Sequence, residues 1–134
     1  MSEILTAVTE LLYGPGEAIR GFDGNEAQAE AEAILNFNGK AYCVVKQWIL
    51  VEIDVDDNYR RELANAGFSP CVLYASDVRV HSAGKRQAGD WVRSTFQRAF
   101  RLGYLFETKN TTYLLAGNGQ RKRASAKTIL SIIE

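Results

Sequence analysis

Ala41-Tyr42-Cys43-Val44-Val45-Lys46-Gln47-Trp48-Ile49-Leu50-Val51-Glu52-Ile53-Asp54-Val55 carries the strongest structural signal in the chain. Cys43, Val45, Ile49, Val51, Ile53 and Val55 share one parity, interrupted only by Gln47. The other parity mixes Tyr42, Val44, Trp48 and Leu50 with Lys46, Glu52 and Asp54. A period of two with one nearly all-apolar face specifies a long strand, or two strands hinged near Lys46-Gln47. The three charges also break the run too often for it to cross a membrane.

Helical spacing precedes this strand. Ile4, Leu5, Val8, Leu11 and Leu12 form one apolar stripe, with Ser2 as a cap and Gly14-Pro15-Gly16 as a stop. A second helix is expected from Asp23, with Glu26 completing a capping box and Asn38-Gly39 ending it. Its inward side is predicted to be Ala27, Ala31, Ile34 and Leu35, with Glu30 and Glu32 toward water. Past the strand, Asp56 or Asp57 caps a short helix closed by Gly67, with Tyr59, Leu63 and Ala66 on its buried side.

The second half reads as β-rich. Strands are expected at Cys71 to Val80, Trp91 to Phe96, Tyr104 to Thr108 and Thr112 to Ala116. Lys109-Asn110-Thr111 fits a tight hairpin, and Gly117-Asn118-Gly119 a further turn. A last helix from Ser125 carries Ile129, Leu130, Ile132 and Ile133, four large aliphatics expected to dock on the sheet. The fold class is therefore α+β: a single domain over residues 1–134. Its sheet is expected to be mostly antiparallel, with four to five strands, N-terminal helices and a C-terminal helix packed on it.

A chain of 134 residues with 46% hydrophobic and 24% charged residues is neither disordered nor repetitive, and 11 Gly with 2 Pro is ordinary usage. Acids at Glu3 and Glu10 stand where a signal peptide needs bases, so a cytoplasmic location is expected. Cys43 and Cys71 lack CxxC spacing and read as reduced core thiols. Formal charge sums to zero, but residues 1–67 hold 12 acids against 5 bases and residues 68–134 hold 11 bases against 4 acids. Such asymmetry marks either a polyanion-binding face or two halves whose charges intermingle in the fold.

No catalytic set is complete. Cys43, His81 and Asp90 have the residue types of a nucleophilic relay, but Cys43 falls mid-strand rather than at a thiolate-stabilising helix start. Glu52 and Asp54 share a strand face that would suit one hard cation, without a second carboxylate cluster to complete its shell. Neither Gly14-Pro15-Gly16 nor Gly117-Asn118-Gly119 is followed by the Lys-Ser/Thr of a phosphate loop. No enzyme activity, cofactor or metal is expected. The sharpest feature is Arg121-Lys122-Arg123 running into Ser125, three bases at a helix start where an anion or acidic surface would neutralise them. Arg93 and Lys109 add bases to the late strands beside Trp91, an aromatic–basic mixture that single-stranded nucleic acids also use.

Gly89-Asp90-Trp91-Val92-Arg93-Ser94-Thr95, the stretch Phe106 to Gly117, and Gly119 with Arg121-Lys122 resemble a family of small uncharacterised bacterial proteins of phage and prophage type. Ala41 to Lys46 with Trp48 belongs to the same pattern, so the resemblance spans about residues 40–123. The family is classed as a domain of unknown function. It implies binding rather than catalysis. The expected function is a phage-type binding protein for a host protein, as an inhibitor of a defence or regulatory system, contacting it through Arg93, Lys109, Arg121, Lys122, Arg123 and Trp91. A small nucleic-acid-binding domain using the basic half is the alternative, and an uncharacterised enzyme the second. No membrane partner is expected, and a homodimer is left open.

Overall fold

Each expected helix forms, but the sheet between them is larger and differently wired than the alternation predicts. The computed structural model describes residues 3–132. In chain order it contains α1 (Glu3–Tyr13), β1 (Glu17–Arg20), α2 (Glu26–Asn36), β2 (Ala41–Asp54), α3 (Asp57–Asn65) and β3 (Cys71–His81). β4 (Val92–Arg93), β5 (Ala99–Arg101), β6 (Leu105–Glu107), β7 (Thr111–Leu115), β8 (Asn118–Ser125) and α4 (Ala126–Leu130) follow. The expected Ser2 cap and the docking of Ile133 lie outside the described residues.

β2 is one strand, but Gln47 at its middle takes φ +52°, a left-handed conformation that breaks the pleat. Val45 and Trp48, three residues apart, therefore enter the same core cluster as Cys43 and Leu50, whereas Ile49, Val51 and Ile53 face another. The expectation of one shared face is corrected: the parity changes sides at the hinge. Both faces of β2 are covered, which explains why even the mixed parity contributes Val44, Trp48 and Leu50 to the interior.

The same hinge forks the sheet. β3 pairs antiparallel along most of β2, while the opposite edge takes β7 in parallel at Ala41–Val45 and β8 in parallel at Ile49–Asp54. β1 then flanks β8, and β6 and β5 follow β7. Residues 92–101 join the two margins. Val92 and Arg93 pair with β3, Ser94 and Gln97 donate N–H to the carbonyls of Leu73 and Cys71 at 2.8 Å, and Ala99–Arg101 pair with β6. The result is a curled, mixed sheet of eight strands, not a mostly antiparallel one of four to five. β1 and β5 were too short to register in the pattern. β8 was hidden by its composition, Asn-Gly-Gln-Arg-Lys-Arg-Ala-Ser, which no β-propensity favours. The expected strand from Trp91 shrinks to two residues.

Inside the curl lie Trp48, Phe106, Leu73, Val78 and Leu115. α1 and α4 cover the outer cluster of Ile49, Val51, Ile53 and Val72 with Leu11, Ile129 and Ile132. Leu130 is exposed, so α4 docks by one side of its single turn rather than by every aliphatic. α2 covers Val44, Leu105 and Leu114 through Ala29 and Ala33, the reverse of the predicted face. Its cap is Asn25 with Gln28 in a capping box, two residues past the expected start. Alanines let this helix lie close to the sheet, and Tyr42 and Tyr104 donate their hydroxyls to Glu30 and Glu32, so those carboxylates turn inward. α3 begins at its Asp56 cap and buries Leu63, while Tyr59 and Ala66 remain on the surface.

Candidate binding site

β8 sets three of the expected contact residues, and strand alternation separates them. Lys122 turns under α1, is 9% exposed, and donates its ammonium to the carbonyls of Leu11 and Gly14 at 2.7 Å each. Burial lowers its pKa, opposed by the charge of Glu10. Arg121 and Arg123 face the other way. Arg121 lies 3.6 Å from Glu17 and 3.7 Å from Glu52, and Arg123 lies 3.4 Å from Glu52 and 3.5 Å from Asp54. The parallel register of β8 on β2 sets Glu52 opposite Arg123, so the acidic and basic halves of the chain intermingle here. The carboxylates considered above for a cation are thus shared with guanidinium groups.

Arg93 has a comparable task. Its Nη1 donates to the carbonyls of Ile129 and Ile132 at 3.2 and 3.3 Å, at the end of α4. Arg101 does the same for α2, donating to the Asn36 carbonyl at 2.7 Å. Neither α1 nor α2 has a base in its own last turn. Second-half bases therefore reach back to carbonyls at the negative ends of α1 and α2, and Arg93 ties down the backbone at the end of α4. Three of the eleven second-half bases have this structural use.

A cleft of about 660 Å³ opens between α3 and α4 at the ends of β2 and β3. Ile53, Val72, Phe96 and Ile129 make its apolar wall, with Tyr59 and Leu130, 41% and 62% exposed, at the mouth. Arg93 lines both this cleft and a smaller hollow that it shares with Arg86, Asp90 and Trp91. On the other side, Ile53 and Asp54 lead into a hollow with Arg60, Arg121 and Arg123. Of the six expected contact residues only Arg93 lines this cleft; Trp91 lines the hollow beside it, and Arg121 and Arg123 line the hollow on the other side. Lys109 lines none of them, because it sits exposed on the β6–β7 turn, and Lys122 is buried elsewhere. Leu130 and Tyr59 read as buried in the sequence and are exposed here. Leu130 sat inside an aliphatic run that read as wholly docked.

The family described as a domain of unknown function, DUF6957, matches residues 20–131. The chain belongs to the DUF6957 family. The match is longer than the stretch 40–123 that carried the resemblance, and takes in α2 and α4. No curated protein and no solved structure matches the chain. Among the described residues no helix is long and apolar enough to cross a membrane.

In this DUF6957 domain Cys43 and His81 are register partners on β2 and β3. Burial nevertheless pushes the Cys43 thiol up to about 12, and Cys71 likewise, which leaves neither as a thiolate near neutral pH. His81 is held below its usual value by burial and by Arg86 and Lys85, and its Nδ1 accepts the Ala83 N–H at 3.2 Å. Asp90 accepts the Gln87 N–H instead of orienting the imidazole. Among the described residues no three His, Cys, Asp or Glu side chains are grouped as a metal site.

Glu107 is the most buried acid of the DUF6957 domain, 3% exposed. Lys40 lies 3.0 Å from its Oε1 and Arg101 bonds its Oε2. Burial pushes this carboxyl up, but the two cations more than offset that and hold it below the usual 4.5. Its value is lower folded than unfolded, so its stabilisation is complete above the usual carboxylate range and disappears as pH falls through the folded value. Glu107→Gln is expected to cost about 1–2 kcal/mol near neutral pH, since Lys40 and Arg101 keep some hydration. It is also expected to flatten the acid-side fall of Tm between about pH 5 and pH 3. Equal acid slopes for the two proteins would refute the assignment.

Proposed function

We propose that this DUF6957 chain is a non-catalytic binding protein of phage or prophage type that docks a host protein in the α3–α4 cleft and thereby restrains a defence or regulatory system. The observation that carries the reading is an open apolar cleft with Leu130 62% exposed at its mouth, in a molecule where Arg93, Arg121, Lys122 and Arg123 are engaged internally. An apolar side chain from a partner has somewhere to go, and Arg93, which lines the cleft, also lines the neighbouring hollow with Trp91, both residue types that anchor protein interfaces. A polyanion, by contrast, needs free cations along one face, and Lys122, Arg93, Arg121 and Arg123 all have partners within the fold.

Leu130→Asp tests this. Leu130 is exposed in the free protein, so stability should change by no more than about 0.5 kcal/mol, while partner affinity should fall at least tenfold through loss of a buried contact worth roughly 1.5–3 kcal/mol. The readout is capture from nuclease-treated host lysate by the parent chain and by the variant, followed by a Kd for the captured protein. A protein retained by the parent and lost with Leu130→Asp supports the cleft. Tight binding to purified DNA or RNA that weakens steeply with salt, indifferent to Leu130→Asp and reduced by Lys109→Ala, would replace it with the nucleic-acid reading.

A further inference from the structure

We propose that a hollow beside the end of α1, floored by Ile49 where β8, β2 and β3 run side by side, binds an uncharged polyhydroxyl ligand, a neutral sugar ring. Its volume is about 480 Å³. The strand registers build it. Ile49 pairs with Gln120 of β8 on one side and with Tyr74 of β3 on the other. Two positions back toward the hinge come Asn118, Gln47 and Ser76, which line the same hollow. Each row is about 10 Å across three strands, and the rows lie about 7 Å apart. Leu12 and Tyr13, at the end of α1, supply the remaining wall.

Three observations point to that chemistry. First, no charged side chain lines this hollow, whereas the α3–α4 cleft and the two hollows beside it all hold arginines and carboxylates. An uncharged lining does not repay an ionised ligand for its lost hydration. Second, the lining offers donors and acceptors together. Among the described residues the carboxamides of Asn118 and Gln120 and the Tyr74 hydroxyl have no hydrogen-bond partner. Gln47 accepts the Ser76 hydroxyl at 2.6 Å through Oε1 and keeps its amide N–H groups for a ligand. A sugar hydroxyl both donates and accepts, which carboxamides and hydroxyls match and a lone carboxylate or ammonium does not. Burial and the nearby Tyr13 raise the Tyr74 phenol, so it stays a neutral donor. Ile49, Leu12 and the ring of Tyr13, 82% exposed, offer apolar surface to the carbon face of the sugar. Third, Gln47 holds φ +52°, which glycine would adopt without strain, so a side chain kept there has a use. A nucleobase is gripped by stacking on its faces and bonding at one edge. Here the polar groups are spread around an apolar floor, as hydroxyls are around a sugar ring.

Amide NMR titration of the full chain with glucose, galactose, N-acetylglucosamine and maltose, each to about 50 mM, reads the binding. The best of them should shift the backbone amides of Gln47, Ile49, Tyr74 and Gln120 with a Kd of roughly 1–10 mM, as so small a contact allows. Glucuronate and glucose 6-phosphate, ionised at neutral pH, should bind at least about fivefold more weakly. Gln47→Gly should weaken the best sugar at least about fivefold while Tm holds or rises, because glycine relieves the left-handed backbone. A Gln47 with only a structural role would move Tm and leave the Kd alone. Tyr13→Ala should also weaken the sugar, with Tm unchanged because the ring is exposed. The proposal is overturned by no amide shift with any of these sugars, by equal affinity for glucuronate, or by an unchanged Kd in Gln47→Gly. Tighter binding of adenosine or uridine than of any sugar would assign the hollow to a nucleobase instead. The hollow shares no lining residue with the α3–α4 cleft, so sugar binding and capture of a host protein stand or fall separately.

Discussion

Gly119→Ala should lower stability by about 3–4 kcal/mol and Tm by more than about 10 °C. A Cβ at Gly119 would stand 2.3 Å from Cδ2 and 2.4 Å from Cε3 of Trp48, well inside contact distance. Neither side can give way cheaply. The indole is 1% exposed, its Nε1 donates to the Ala116 carbonyl at 3.1 Å, and its far edge lies against the backbone of Gly21. β8 is held between β1 and β2, with Ile19 paired to Gly119 itself. Thermal unfolding checks the magnitude, and a double-mutant cycle with Trp48→Phe checks the cause. A smaller ring should make Gly119→Ala at least about 1 kcal/mol less costly than in the parent. Strict additivity would show that the two residues do not compete for space.

The second large effect is expected at Lys122. Lys122→Met keeps the aliphatic stem that packs on Gly16 but removes both donors to Leu11 and Gly14. Two carbonyls at the end of α1 then lose their partner, at about 2–3 kcal/mol after allowing for relief of a half-desolvated ammonium. The loss should be local before it is global. Backbone amides of Glu3–Tyr13 are expected to exchange with deuterium much faster, while those of β2 and β3 keep their protection. Uniform loss of protection across the sheet, or none in α1, would contradict the role given to Lys122. Lys122→Arg, with its wider fork, should rescue only part of it.

The two expectations come from residues that the sequence presented as a turn glycine and as part of a charge run. A glycine after Gly117-Asn118 reads as one more turn residue, since nothing local reports that an indole from a strand seventy positions earlier lies on its Cα. Lys122 and its neighbours read as one basic patch because three consecutive bases look alike in one dimension. Strand alternation then sent one inward to a helix end and two outward to Glu17, Glu52 and Asp54.

What the sequence determined by itself was local: the position of β2, a cap at Asp56 or Asp57, the Ser125 cap, the β6–β7 turn and the α+β class. These follow from residues within a few positions of one another, where side-chain period and capping chemistry act directly. The hinge near Lys46-Gln47 was legible too, but only the tertiary structure decided which face of α2 is buried, which strands pair on either side of that hinge and which carbonyls the bases hold. The outer stripe of α2, with Ile34 and Leu35, is the more apolar in sequence, yet Ala29 and Ala33 are buried, where small side chains allow close approach and Tyr42 and Tyr104 on the sheet supply donors for Glu30 and Glu32. The fork at Gln47 likewise depends on β7 and β8, which arrive more than sixty residues later. A hydrogen-bond acceptor at a helix end is the same carbonyl in every sequence, so the pairing of Lys122, Arg101 and Arg93 with theirs is written in the fold alone.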